Sequence, residues 1–305
     1  GDVYKRQLVG FLFPFIFTWI GISNIAPQGV VPDSVIYSFY IGAAILILCV
    51  IYTTVKVKEM PPAEYAEYHG ITEEEEKEKI NMVKLLIKAP KAFWTVGLVQ
   101  FFCWFAFMFM WTYTNGSVAA NVFDAPTVET AVNGVSKVML DTKSIQYQDA
   151  ADWVGVLFAV QAIGSVLWAV CIPLFKDRKL IYSLSLVLGG LGFISTYFVH
   201  NQYVLFISFL LIGCAWAAML ALPFTILTNA LSGGHMGTYL GLFNGTICIP
   251  QIVAASLGGS ILALFTPKGM LPPEINMLVM AGVMLIIGAV CVYLIKETKG
   301  EQTKA

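Results

Sequence analysis

Gln100 and Trp104 lie four residues apart in a segment that is otherwise almost wholly apolar. On a helix that spacing puts an amide and an indole on one face, one turn apart. Gln161, Trp216, Asn244 and Gln251 repeat the theme, each inside a long apolar run. Such groups make and break no covalent bonds. They offer hydrogen bonds and flat apolar planes, which is equipment for reversible recognition of a polar molecule. The chain shows no nucleophile with a base, no paired carboxylates and no Cys/His set at metal spacing. No catalytic residue, metal or cofactor is therefore expected.

Each candidate also has a plainer reading. Gln100 and Gln161 can serve as interhelical hydrogen-bond links, and Trp104 and Trp216 as bulky packing. Asn244 and Gln251 are seven apart and share a face, and Pro250 beside Gln251 can free a carbonyl toward a cavity, as discontinuous transport helices do. The overlapping Gly241-x-x-x-Gly245 reads as close helix packing. Tyr113, Asn115 and Asp152 can line an outer vestibule. Thr228 and Asn229 form a gate or only a cap, and His200 and His235 read as interfacial.

Composition dictates what positions these residues. The 305 residues are 58% hydrophobic and 12% charged, with a net charge of −1. A soluble domain carries about a quarter charged residues. This chain has too few polar residues to cover a water-facing surface, and no basic field that would suit nucleic acid. Its surface must be solvated by something apolar, namely the lipid bilayer. Each crossing takes roughly 20 apolar residues, and backbone groups there must be satisfied within the segment, so the spans are helices.

The fold expected is an all-α polytopic bundle of about eight spans. They fall near 8–23, 35–55, 92–113, 151–175, 180–200, 203–229, 238–264 and 275–296. None carries Asp, Glu, Lys or Arg at mid-depth. The segment 114–150 is of mixed polarity and extends the flanking helices outward. The six cysteines all fall in apolar runs and read as small buried hydrophobes.

Lysine and arginine set the direction. Lys56, Lys58, Lys77, Lys79, Lys84, Lys88 and Lys91 crowd the 56–91 loop. Lys176, Arg178 and Lys179 fill one short turn, and Lys296, Lys299 and Lys304 the tail. The opposite side holds only Lys137, Lys143 and Lys268. The loop, the turn and the C-terminus are thus expected in the cytoplasm, with the protein multi-pass in the cell (inner) membrane. In the loop, Thr72 and Glu75 form a capping box ahead of an amphipathic helix with Ile80, Val83 and Ile87 on one side.

Several strings narrow the reading. They are Phe13-Pro14, Gly21-Ile22-Ser23-Asn24, Val31-Pro32-Asp33-Ser34-Val35 and Lys58-Glu59-Met60-Pro61-Pro62. Further on come Gln100-Phe101-Phe102-Cys103-Trp104-Phe105-Ala106 and Met110-Trp111-Thr112-Tyr113. The most specific are Gly213-Cys214-Ala215-Trp216-Ala217-Ala218 with Leu222-Pro223-Phe224, and Met236-Gly237-Thr238-Tyr239-Leu240-Gly241-Leu242-Phe243-Asn244 with Pro250-Gln251. Together they resemble the proton-coupled sucrose and maltose permeases, in the glycoside–pentoside–hexuronide and plant-type sucrose branch of the major facilitators.

The resemblance implies a twelve-helix carrier without its first four helices. Residues 8–55 would be the last two helices of the N-terminal half, 56–91 the cytoplasmic central loop, 92–296 the complete C-terminal half and 297–305 the tail. Residues 1–7 read as a scar foreign to the rest. The resemblance also implies a disaccharide substrate moved by alternating access, with a proton, or else sodium, as coupling ion. Gln100, Trp104, Gln161, Trp216, Asn244 and Gln251 are then the candidate sugar contacts. With no mid-membrane carboxylate in these spans, either coupling resides in helices before residue 8 or the protein is a uniporter. The turn Phe175–Lys179 lacks the glycine-rich form of the facilitators' basic motif, so no gating role is carried onto it. A carrier for another small solute, or a carrier-like sensor or scaffold, is the alternative.

The topology is directly testable. A single cysteine introduced at Lys268 should react with an impermeant thiol reagent only from outside. Labelling only from the cytoplasmic side would invert the arrangement.

Overall fold

The computed structural model describes residues 16–17, 19–22, 31, 33–57, 64, 82–132, 135–231 and 236–295. Among them are seven helices long and apolar enough to cross a membrane. Helix α1 is Asp33–Lys56 and the short α2 is Met82–Ile87. Helices α3 (Lys91–Asn121), α4 (Ile145–Cys171), α5 (Arg178–Ser195) and α6 (Leu205–Ala230) follow. Then come α7 (Met236–Phe243), α8 (Gly245–Phe265) and α9 (Ile275–Cys291). The expected first span near 8–23 lies mostly outside the described residues, as does the capping box at Thr72 and Glu75.

The bundle is built around α3 and α6. Helix α6 packs against α4, α5 and α3, helix α9 against α3 and α5, and α8 against α3. Small residues make these approaches possible. Lipid is as apolar as leucine, so helices associate where backbones can come close. At the α4–α6 crossing, a Cβ on Gly213 would land on the Gln161 carbonyl oxygen, and one on Gly164 would lie 2.6 Å from the Leu210 oxygen. The hydroxyl of Ser165 donates across the same crossing to the Gly213 oxygen at 3.0 Å. Between α5 and α6 the hydroxyls of Ser195 and Ser208 meet at 2.8 Å.

Helix ends follow local chemistry. The Oγ of Ser144 accepts from the Tyr147 amide and starts α4. The Asp177 carboxylate accepts from the amides of Lys179 and Leu180, so the short basic turn is also the cap of α5. Helix α1 is almost wholly exposed within this chain, and the span that contains α7 and α8 keeps a broad exposed apolar face.

Four expectations need correction. Helix α3 does not end near 113 but runs two turns further. At 1.5 Å per residue its 31 residues cover roughly 46 Å, more than the hydrocarbon core. The rest of 114–150 is not merely helix extension: Thr127–Val132 (β1) and Val135–Leu140 (β2) pair antiparallel, with Thr127 opposite Leu140 and Val132 opposite Val135. Asn133-Gly134 between them is the strongest two-residue hairpin signal, and it went unread. Asp124, at φ 49°, turns the chain from helix to strand in a region that aspartate tolerates.

The third correction concerns the seventh span. It divides into two helices at Asn244, and Pro250, inside α8, leaves the Thr246 carbonyl without the N–H donor it would have at position 250. The Asn244 amide is shared between the oxygens of Leu240 and Gly241, at 3.3 and 3.2 Å. A Cβ on Gly241 would meet open space, so this glycine makes no close helix contact among the described residues. The fourth concerns the cysteines. Cys103 and Cys214 are buried, but Cys49 and Cys248 are exposed on faces that the chain itself leaves uncovered.

Gly213→Leu should force α4 and α6 apart. The expected loss is about 1–3 kcal/mol, as for overpacking of a tight core, read as a lowered thermal midpoint in detergent. An unchanged midpoint would show that the crossing can relax without cost.

Candidate functional site

Four of the six candidate residues meet along one ridge of α6. Trp216 stands one turn from Gly213 and one turn from Met219. At the Gly213 level the ridge touches Gln161 of α4 through its carbonyl oxygen. At Trp216 it meets Trp104 of α3, with ring centroids 5.8 Å apart and planes at 78°. Phe107 and Trp111 complete the cluster, at 4.8 and 5.7 Å from Trp216. At Met219 the ridge receives Gln100.

That last contact has a specific cause. Pro223 lacks an N–H, so the Met219 carbonyl, four residues earlier, loses its helical donor. The Nε2 of Gln100 donates to it at 3.1 Å. A buried carbonyl that would otherwise be stranded in an apolar interior is satisfied from the neighbouring helix. Gln100 is fully buried, and its other amide atom, Oε1, has no hydrogen-bond partner. The same is true of Trp104 Nε1 and Gln161 Oε1. One donor and two acceptors therefore stand without protein partners on α3 and α4.

Asn244 and Gln251 lie apart from this group. Asn244 is exposed at the interruption between α7 and α8, and Gln251 is half-buried. A Cβ on Gly97 would lie 3.0 Å from Thr246, and one on Gly258 would meet the Tyr113 hydroxyl at 2.5 Å. Helices α3 and α8 thus run in parallel, and between these two contacts Gln251 falls at about the depth of Trp104. The ring and hydrogen-bond contacts of the cluster do not extend to it.

At the other end of α3, Asn115 donates through Nδ2 to the Tyr147 hydroxyl at 2.9 Å. Asp152 is half-buried on α4. Beside them is a group that the sequence reading passed over. Glu274 precedes α9, and a Cβ on Gly116 would fall on its carboxylate. Burial pushes its carboxyl up from 4.5 to about 7. The expectation that no carboxylate could serve was drawn from the spans alone, and Glu274 stands one residue before the last of them. Its position behind Pro272-Pro273, directly ahead of an apolar run, was the available signal.

The fold and its internal polar links define a polytopic helical membrane protein. The sequence profile of the Major Facilitator Superfamily matches residues 118–305. That is more than half of the chain, and the chain belongs to this superfamily. It is a multi-pass membrane transporter whose partners are the bilayer and a small-molecule substrate. No curated protein matches it.

The Gln100 link can be isolated by a double-mutant cycle. Gln100→Leu should strand the Met219 oxygen and cost about 1–3 kcal/mol of stability. Pro223→Ala in the same background restores an N–H at position 223 and should recover most of that loss. No recovery in thermal unfolding would mean that the proline is not the reason for the glutamine.

Proposed function

We propose that the protein is a sugar transporter of the symporter kind, moving a disaccharide such as sucrose or maltose by alternating access with a proton as the coupling ion. The observation that carries this reading is the set of unpartnered buried polar atoms on α3 and α4, Gln100 Oε1, Trp104 Nε1 and Gln161 Oε1, together with the tryptophan cluster around Trp104. A buried polar atom without a partner costs free energy, and a ligand that completes it recovers that cost. Sugar hydroxyls both donate and accept, so one ligand class can answer an indole N–H and two amide oxygens. The apolar face of a pyranose suits stacking on an indole plane.

In this reading Trp104 and Trp216 form the wall, Gln100 and Gln161 accept from hydroxyls, and Trp104 Nε1 donates. Gln251, at the depth of Trp104, approaches from α8, and Asn244 flanks the interruption below it. Gln100 then has two duties, since its nitrogen is held by Met219 and only its oxygen is free for the sugar. The resemblance to the sucrose and maltose permeases supports the substrate class. The lysine distribution supports a cytoplasmic C-terminus in the cell membrane, with 114–150 and 265–274 outside. The same resemblance supports the division into two helices over 8–55, the loop 56–91 and a six-helix half over 92–296.

Equilibrium binding of radiolabelled sucrose and maltose to the purified chain tests this. Trp104→Ala should raise Kd by about fivefold or more, corresponding to roughly 1 kcal/mol. Gln161→Leu and Gln251→Leu should each cost about 0.5–1.5 kcal/mol. Normal affinity in all three variants, with folding intact, removes this face as the site. Binding of a different small solute in place of either sugar would leave a facilitator-type carrier of another specificity.

A further inference from the structure

The side chain of Glu274 has no ion-pair or hydrogen-bond partner among the described residues, and makes no cap for α9. It is nevertheless turned inward, against the backbone of α3 at Gly116, a position where any side chain would collide with its carboxylate. The charged and titratable groups facing it are the hydroxyls of Tyr113 on α3 and Tyr147 on α4, which both feel its charge. Tyr147 in turn holds Asn115, the chain neighbour of Gly116, whose Oδ1 is buried and unpartnered. No cation stands among these neighbours. Three helices thus converge on a carboxylate with acceptors near it and nothing to neutralise it.

A half-open cavity of about 500 Å³ adjoins this junction. Among its lining residues are Pro273 and Ile275, the two chain neighbours of Glu274, with Asn121, Asn276 and the exposed His200. A proton arriving there is one residue from the carboxyl.

We propose that Glu274 is a proton-binding site at the junction of α3, α4 and α9, loaded from the extracytoplasmic side, and that its proton occupancy decides whether the junction closes. The physical basis is desolvation. A neutral carboxylic acid can pack against Gly116 and donate to an acceptor such as Asn115 Oδ1, whereas a carboxylate there is half-buried with no side-chain partner and is drawn back toward water. Burial accordingly holds the group protonated up to about pH 7. Proton binding therefore favours the start of α9 seated on α3, and release favours its withdrawal. The outward loading and the link to a transport cycle rest on the function proposed above, and the proton site itself does not.

The test uses the full chain purified in lipid nanodiscs, without substrate. Infrared difference titration follows the C=O stretch of protonated carboxylic acids. The wild type should show a band that disappears near pH 7, far above the ordinary 4.5, and Glu274→Gln should lack it. Gly116→Ala, which displaces the carboxylate, should shift the midpoint down toward the ordinary range, and it serves should the glutamine variant fail to fold. Hydrogen exchange of the amides flanking 274, corrected for its intrinsic pH dependence, should accelerate through the same midpoint in the wild type and stay flat in Glu274→Gln.

Identical wild-type and Glu274→Gln titrations in the neutral range, or a Gly116→Ala midpoint equal to that of the wild type, would overturn the site. A neutral midpoint with no change in exchange would overturn the closure. Neither readout depends on sugar, so failure here and failure of the sugar site are separate results.

Discussion

A hydrogen bond from Gln100 Nε2 to the Met219 oxygen joins α3 to α6 inside the bundle. It exists because Pro223 removes the amide that the Met219 carbonyl would otherwise use. In water such a carbonyl would be solvated. In a bilayer it must be answered by protein, and the answer comes from a neighbouring helix. The bond holds α3 and α6 in a fixed register, so that Trp104 and Trp216 meet one turn away.

Close backbone approach does the remaining work. Gly164 and Gly213 bring α4 onto α6, and Ser165 bonds across that crossing. Gln161 and Gln100, on helices α4 and α3 that pack against α6, each keep a buried side-chain oxygen without a partner. A core assembled by hydrophobic exclusion from water would have buried such groups at a heavy cost or replaced them. Here interhelical polar links are part of how the helices find one another.

The end of the bundle where α3 finishes follows a different rule. Helix α3 is longer than the hydrocarbon core, so its last turns, the hairpin β1–β2 and the start of α9 stand where polar groups are tolerated. Serine, threonine and asparagine on these turns bond back to their own helix, as Ser117 does to Tyr113 and Asn121 to Ser117. Glu274 is the exception, since it turns inward from a place where water was within reach.

The spans were legible in the sequence because an apolar run of roughly 20 residues has one stable solution in a bilayer. For that reason the expected segments near 35–55, 203–229, 238–264 and 275–296 lie close to α1, α6, the α7–α8 pair and α9. The facilitator architecture was legible from their order and from the clustering of charge between them. Partnership between helices was not. A soluble helix advertises its buried face by amphipathicity, but in a membrane both the interior and the surroundings are apolar, and the pattern carries little sign of which face meets protein. Gln100 and Trp104 could be picked out as residues that matter, while only the tertiary structure decided that the glutamine's nitrogen answers Pro223 and its oxygen answers nothing. The same holds for Glu274. By sequence it is a loop carboxylate beside two prolines, and it became a half-buried acid only when α9 was set against Gly116 of a helix more than 150 residues away.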